Sequence, residues 1–151
     1  MSFTLESQVW GEVEGKEVGL WKVANGKGIE LWFTSYGARL VKAFMPDRKG
    51  VVDNVTLGWP TLAEYVAENG GTYYGATVGR YGNRIGSNGT FSIDGEKYQL
   101  ELNNAPAGIP CALHGGLRGF SLQVWSLVDS FVKEDKAGLL FEIKSPDGEG
   151  G

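Results

Sequence analysis

The stretch Gly89-Thr90-Phe91-Ser92-Ile93-Asp94-Gly95-Glu96-Lys97-Tyr98-Gln99-Leu100 decides the fold class. Asp-Gly is a favoured two-residue hairpin turn, because both central positions of such a turn need positive φ. With the turn at Asp94-Gly95, Phe91 falls opposite Tyr98 and Ile93 opposite Glu96. Phe91, Ile93, Tyr98 and Leu100 then share one face, so turn chemistry and period-2 alternation agree on a β-hairpin.

The same pattern extends outward. Ile29, Leu31 and Phe33 alternate with Glu30, Trp32 and Thr34, as in a strand with one buried face. Ala38–Met45 is a further strand-like run interrupted by Arg39 and Lys42, with a turn or bulge expected at Gly37. Val51, Val52, Val55 and Leu57 form a short segment; Leu122–Val128 and Leu139–Ile143 are β-type runs flanking the charged turn Lys133-Glu134-Asp135-Lys136. One segment argues for a helix. Thr61-Leu62-Ala63-Glu64 has capping-box spacing after Pro60, Leu62, Tyr65 and Val66 fall on one helical face, and Gly70-Gly71 is the expected stop. Many strands with turn signals and at most one short helix predict an all-β, antiparallel sandwich or barrel.

Composition bounds the function. Glycine supplies 24 of the 151 residues, above an average usage of about 7 %. The net charge of −4 excludes a whole-protein basic field for nucleic acid. The first twenty residues carry Glu6, Glu12, Glu14, Lys16 and Glu17, so a cytoplasmic protein is expected; no segment reaches the ~18 apolar residues of a membrane helix. One Cys and one His cannot supply most of a structural zinc site, and no metal is expected. Cys111, among apolar neighbours, reads as a small hydrophobe. The sequons at Asn54 and Asn88 read as chance triplets in strand and turn sequence.

Twelve glycines crowd residues 70–119, where phosphate-loop and dinucleotide patterns are absent. Arg80 and Arg84 in the tract Gly79–Gly86 offer a local site for an anion or polyol. His114, the sole imidazole, precedes Gly115-Gly116, which leave its ring accessible from one side. No carboxylate pair stands out as general acid and base. The residues alone describe a β-domain with a Gly-rich, Arg- and His-bearing region suited to a small polar molecule.

Three ordered motifs add a resemblance. Gly79-Arg80-Tyr81-Gly82-Asn83-Arg84-Ile85 is similar to the GRxxNRI signature of aldose 1-epimerases (galactose mutarotases). The hairpin, followed by Asn103, resembles that family's G-x-F-x-[ILV]-D-G-x-x-Y-x-L. Leu113-His114-Gly115-Gly116-Leu117-Arg118-Gly119-Phe120, with Trp125 after it, resembles its LHGGxxGFxxxxW. The resemblance extends to Ser35-Tyr36-Gly37-Ala38, Pro46–Gly50 and Asn54–Gly58 upstream; Ser145–Gly151 resembles an interior loop.

The resemblance implies a truncated β-supersandwich of galactose mutarotase type, with residues 1–151 as the N-terminal part of a single aldose 1-epimerase-like domain. It implies interconversion of the α and β anomers of free hexoses such as glucose and galactose, with no cofactor. The ligand would be the aldose itself, with neither nucleic acid nor membrane as partner; oligomeric state is left open. Asn83, Arg84 and His114 match positions that contact sugar hydroxyls, with His114 orienting the sugar. Arg84 and His114 are therefore expected to converge on a pyranose-sized hollow. The family's general-acid His, a further sugar-binding Asp and the general-base Glu fall beyond the last residue given, and Gly82 stands where many relatives have Ala. Two readings follow: an epimerase chain that works within something longer or with a complementary piece, and a non-catalytic monosaccharide-binding or pseudoenzyme domain. A third, a fragment that binds nothing, predicts open sheet edges and aggregation.

Overall fold

The computed structural model describes residues 2–68 and 71–150. Five strands form an antiparallel meander in chain order: β1 (Thr4–Val13), β2 (Lys16–Ala24), β3 (Glu30–Thr34), β4 (Arg39–Pro46) and β5 (Val52–Asn54). Glu14 (φ 51°) and Gly15 (φ 75°) make the tight turn between β1 and β2, where Val13 pairs with Lys16. Alternate residues face inward, Val18 and Leu20 from β2 and Arg39, Val41 and Ala43 from β4, as a half-buried pleat requires.

A two-turn helix, α1 (Leu62–Ala67), covers this face. Its start is the expected capping box: Thr61 Oγ1 accepts from the Glu64 amide at 3.3 Å, and Glu64 accepts from the Thr61 amide at 3.0 Å. Leu62 and Tyr65 enter the core with Val18, Leu20, Tyr36 and Val41, whereas Val66 is left exposed. Gly11 makes room for the helix, since a Cβ there would stand 2.8 Å from Leu62 Cδ2. The helix ends at Ala67; the expected stop at Gly70 lies outside the described residues.

Arg39 is the least expected member of the core. It is 2 % exposed and donates to the carbonyls of Tyr36 (3.1 Å), Tyr74 (3.3 Å) and Ser121 (2.7 Å). Its guanidinium sits 5.3 Å from the Tyr36 ring centroid and 5.0 Å from that of Tyr65. One side chain thus ties the sheet to two later segments that frame the candidate site. Backbone bonds reinforce the seam: the Leu40 amide to Gly75, the Thr77 amide to Gly37, and the Trp125 amide to Ser35.

The remaining strands form three two-stranded antiparallel ladders: β6 (Arg84–Ile85) with β9 (Ala112–Leu113), β7 (Thr90–Ile93) with β8 (Glu96–Gln99), and β10 (Ser126–Val132) with β11 (Ala137–Glu142). The β7–β8 register pairs Phe91 with Tyr98 and Ile93 with Glu96, as read from the sequence. Asp94 (φ 51°) and Gly95 (φ 87°) form the turn, and the Phe91 and Tyr98 rings stack at 5.3 Å. The run beginning at Leu122 differs from expectation. Phe120–Leu122 is a single 3₁₀ turn and the strand starts only at Ser126, because Arg39 and Gly37 draw carbonyls of Ser121 and Gln123 toward the main sheet. Residues Gly86–Gly89 make a helical-looking turn, but Ser87 (φ 50°) and Asn88 (φ 55°) are left-handed, so α1 is the only regular α-helix among the described residues. No helix there is long and apolar enough to cross a membrane.

Candidate functional site

The short β6–β9 ladder builds the site. Arg84 pairs with Leu113 in register, which sets Asn83 and His114, the next residues outward on each strand, side by side. The two interlock. The Asn83 amide donates to His114 Nδ1 at 2.9 Å, and the His114 amide donates to the Asn83 carbonyl at 3.0 Å. Both sit in the left-handed region (φ 61° and 53°). A neutral imidazole whose Nδ1 accepts carries its proton on Nε2, so His114 presents a donor at its outer edge.

Arg84 lies beside them. Its Nε donates to Asn104 Oδ1 at 3.0 Å and its Nη1 approaches Asn83 Oδ1 at 3.5 Å. The Tyr73 ring stands edge-on to His114 with centroids 4.5 Å apart. Burial, and then the positive charge of Arg84, hold the His114 pKa below its ordinary value. Burial also pushes the Tyr73 hydroxyl up, against the opposing influence of Arg84. The structure therefore brings Asn83, Arg84 and His114 together, with Tyr73 and Asn104 as neighbours that sequence reasoning did not single out. Tyr73 follows α1 at a left-handed φ of 51°, a conformation no local motif announces.

Close backbone packing fixes the two site loops. Gly115 (φ 92°) lies so near residue 79 that a Cβ would stand 2.0 Å from the Gly79 carbonyl oxygen. Asn103 clamps the turn after His114, donating to the Leu113 carbonyl at 2.9 Å and the Gly116 carbonyl at 3.0 Å while accepting from the Leu113 amide at 2.7 Å. Arg80 does not join Arg84. It turns away to Ser145 Oγ (3.0 Å) and the Pro146 carbonyl, so the two arginines of the Gly79–Gly86 tract have separate roles. Cys111 is buried, in keeping with a small hydrophobe. Among the described residues no three His, Cys, Asp or Glu side chains gather as a metal site.

The expected hollow takes a different form. Asn83 and Arg84 are exposed and His114 half-buried, which makes the cluster an open shelf. The cavity beside it, lined by Arg80, Asn83, Gly115 and Gly150 among others, holds about 10 Å³, too little for a sugar ring. A hollow of about 340 Å³ is lined by other residues, including Glu14, Tyr36 and Arg118. Two short strands and one turn supply a single wall, so Asn83, Arg84 and His114 converge without enclosing a ligand.

The interlocked ends of two short antiparallel strands thus present an arginine fork, an amide and a neutral imidazole side by side. The aldose 1-epimerase profile matches residues 19–151. Galactose mutarotase from Sus scrofa is 39 % identical over 117 residues, covering 78 % of this chain and 31 % of that protein. The Homo sapiens galactose mutarotase is 37 % identical over the same length. Among solved structures, galactose 1-epimerase from Lactobacillus acidophilus NCFM superposes with a TM-score of 0.80 at 24 % identity, over 97 % of this chain and 40 % of that one. The GalM/aldose epimerase homologue from C. elegans gives 0.69 at 30 % identity, over 86 % of this chain and 37 % of that one. The chain belongs to the aldose 1-epimerase family. It spans about a third of the length of the curated relatives it matches.

Proposed function

We propose that this chain binds a free hexose such as galactose or glucose on the Asn83–Arg84–His114 shelf and serves aldose 1-epimerase chemistry, the exchange of α and β anomers. The observation that carries the reading is the mutual fixing of these three residues: the Asn83 amide on His114 Nδ1, and Arg84 over the Asn83 side chain. Sugar hydroxyls both donate and accept. Beyond its bonds to Asn104 and Asn83 the guanidinium keeps further N–H donors, the Asn83 amide offers either polarity, and His114 Nε2–H donates. A neutral imidazole and a fork fixed at its Nε suit directional recognition of an uncharged polyol.

Anomer exchange needs a base for the C1 hydroxyl proton and an acid for the ring oxygen. His114 has one ring nitrogen free, and that nitrogen carries a proton, which fits it to orient the sugar rather than to take the C1 proton. We read residues 1–151 as the N-terminal, sugar-orienting part of one aldose 1-epimerase-like domain, and place it in the cytoplasm on the charge of residues 6–17. The second reading, monosaccharide binding without catalysis, is favoured by one observation: the chain's single imidazole has its Nδ1 already engaged.

Polarimetry of freshly dissolved α-D-galactose or α-D-glucose separates the two. Acceleration of mutarotation that disappears in His114→Ala supports the epimerase reading. Saturable sugar binding without acceleration supports the second, and absence of binding contradicts both.

A further inference from the structure

Arg84 is an exposed arginine on a two-residue strand, and such a side chain ordinarily samples many rotamers. Here its Nε is fixed by one atom, Asn104 Oδ1 at 3.0 Å, and among the described residues no carboxylate lies within 4.0 Å of it. Asn104 is itself anchored through its main chain. Its amide donates to the Cys111 carbonyl at 3.3 Å and its carbonyl accepts from the Cys111 amide at 2.8 Å, closing the loop 105–110. The Asn104 side-chain Oδ1 then accepts from Cys111 Sγ at 3.7 Å as well as from the guanidinium, so the bridge holds the acceptor in place. Bonding through Nε leaves the Nη groups available, one of them reaching Asn83 Oδ1 at 3.5 Å.

We propose that Asn104 is the positioning residue of this site, aiming the Arg84 guanidinium with a neutral oxygen that leaves its charge uncompensated. The inference rests on the sugar-binding reading only for what the aimed guanidinium then holds. A neutral anchor has a physical consequence of its own: among the described residues no paired carboxylate offsets the positive charge of Arg84 beside His114. The titratable and charged groups facing His114 are Arg84 from β6 and Tyr73 from the segment after α1.

The chain's sole histidine makes this measurable without a ligand. In the full chain, NMR titration of the imidazole is compared for wild type, Asn104→Ala, Arg84→Ala and the double variant. Asn104→Ala is expected to raise the His114 midpoint, because an untethered guanidinium moves off. The same substitution in the Arg84→Ala background is expected to move it no further. Affinity for D-galactose, read in parallel, is expected to fall about tenfold in Asn104→Ala, the usual loss for a hydrogen bond to a charged group. Should Asn104→Ala fail to fold, Asn104→Leu keeps the bulk and removes the acceptor. An unchanged midpoint in a folded Asn104 variant, or an equal shift with and without Arg84, overturns the proposal. The expected titrations in a wild-type chain that binds neither galactose nor glucose uphold the role of Asn104 and overturn the sugar reading instead.

Discussion

His114 Nδ1 accepts from the Asn83 amide, so protonating the ring replaces an attraction with a clash of two N–H groups. Burial and the charge of Arg84 already keep the folded pKa below the ordinary value of 6.5. The unfolded chain therefore takes up a proton at higher pH than the folded one. Stability from this group is present in full above about pH 6.5 and declines as pH falls toward the lowered folded pKa. Thermal unfolding of wild type should lose stability as pH falls below about 6.5, and His114→Gln should flatten that slope. An identical slope in both proteins would show that the imidazole is not held neutral by its surroundings. Arg84 behaves differently, because it is exposed and forms no ion pair among the described residues. Arg84→Ala should change unfolding free energy by no more than about 0.5 kcal/mol, the usual range for a surface site. Large destabilisation in denaturant titration would make this arginine a structural residue.

At the scale of elements, the β7–β8 hairpin was legible because Asp94-Gly95 and the alternation around it say the same thing twice. The capping box of α1 was legible for a similar reason, since Thr61 and Glu64 serve each other's amides. β1 and β2 carry no such doubled signal. Six of the ten β1 residues lie outside the apolar set, its alternation breaks at the bulge between Val9 and Gly11, and its turn is Glu14-Gly15 rather than an Asn- or Asp-Gly pair. The site was half legible. Asn83, Arg84 and His114 stood out through their glycine surroundings and motifs, whereas Tyr73 and Asn104 reach the site through a left-handed turn and a β-bridge between residues seven apart. Gly115 is where element and site meet. Gly115→Ala combines φ 92° with a Cβ 2.0 Å from the Gly79 oxygen, so the two site loops must part. A loss of about 2 kcal/mol or more is expected in unfolding experiments, with sugar binding falling alongside. An alanine variant of wild-type stability would contradict the close approach.

Across the whole molecule, Arg39 joins layers that hydrophobic patterning treats separately. In the sequence it merely interrupts an apolar run, and a lone arginine gives no sign that a neighbouring carbonyl and two from distant segments will converge on it. Burial alone lowers its pKa, yet the bonds to Tyr36, Tyr74 and Ser121 and the two tyrosine rings keep the cation in place. Arg39→Ala orphans those carbonyls and opens a cavity, and should cost about 3–5 kcal/mol by chemical denaturation. A cost below about 1 kcal/mol would mean that the sheet and the site-bearing segments are not coupled through this side chain. One hairpin is less protected. The β10–β11 hairpin exposes Val128, Phe131, Val132 and Leu140, the kind of open apolar ladder that favours edge-to-edge association.

The account stands on the joint use of Arg84 and His114 by one sugar molecule. The most direct measurement is a D-galactose titration of the ¹⁵N-labelled chain, following the His114 ring and Arg84 Nε resonances. Both should shift along one saturable curve, and the His114 response should vanish in Arg84→Ala. Curves with different midpoints, or a His114 response that survives loss of the guanidinium, would contradict a shared site.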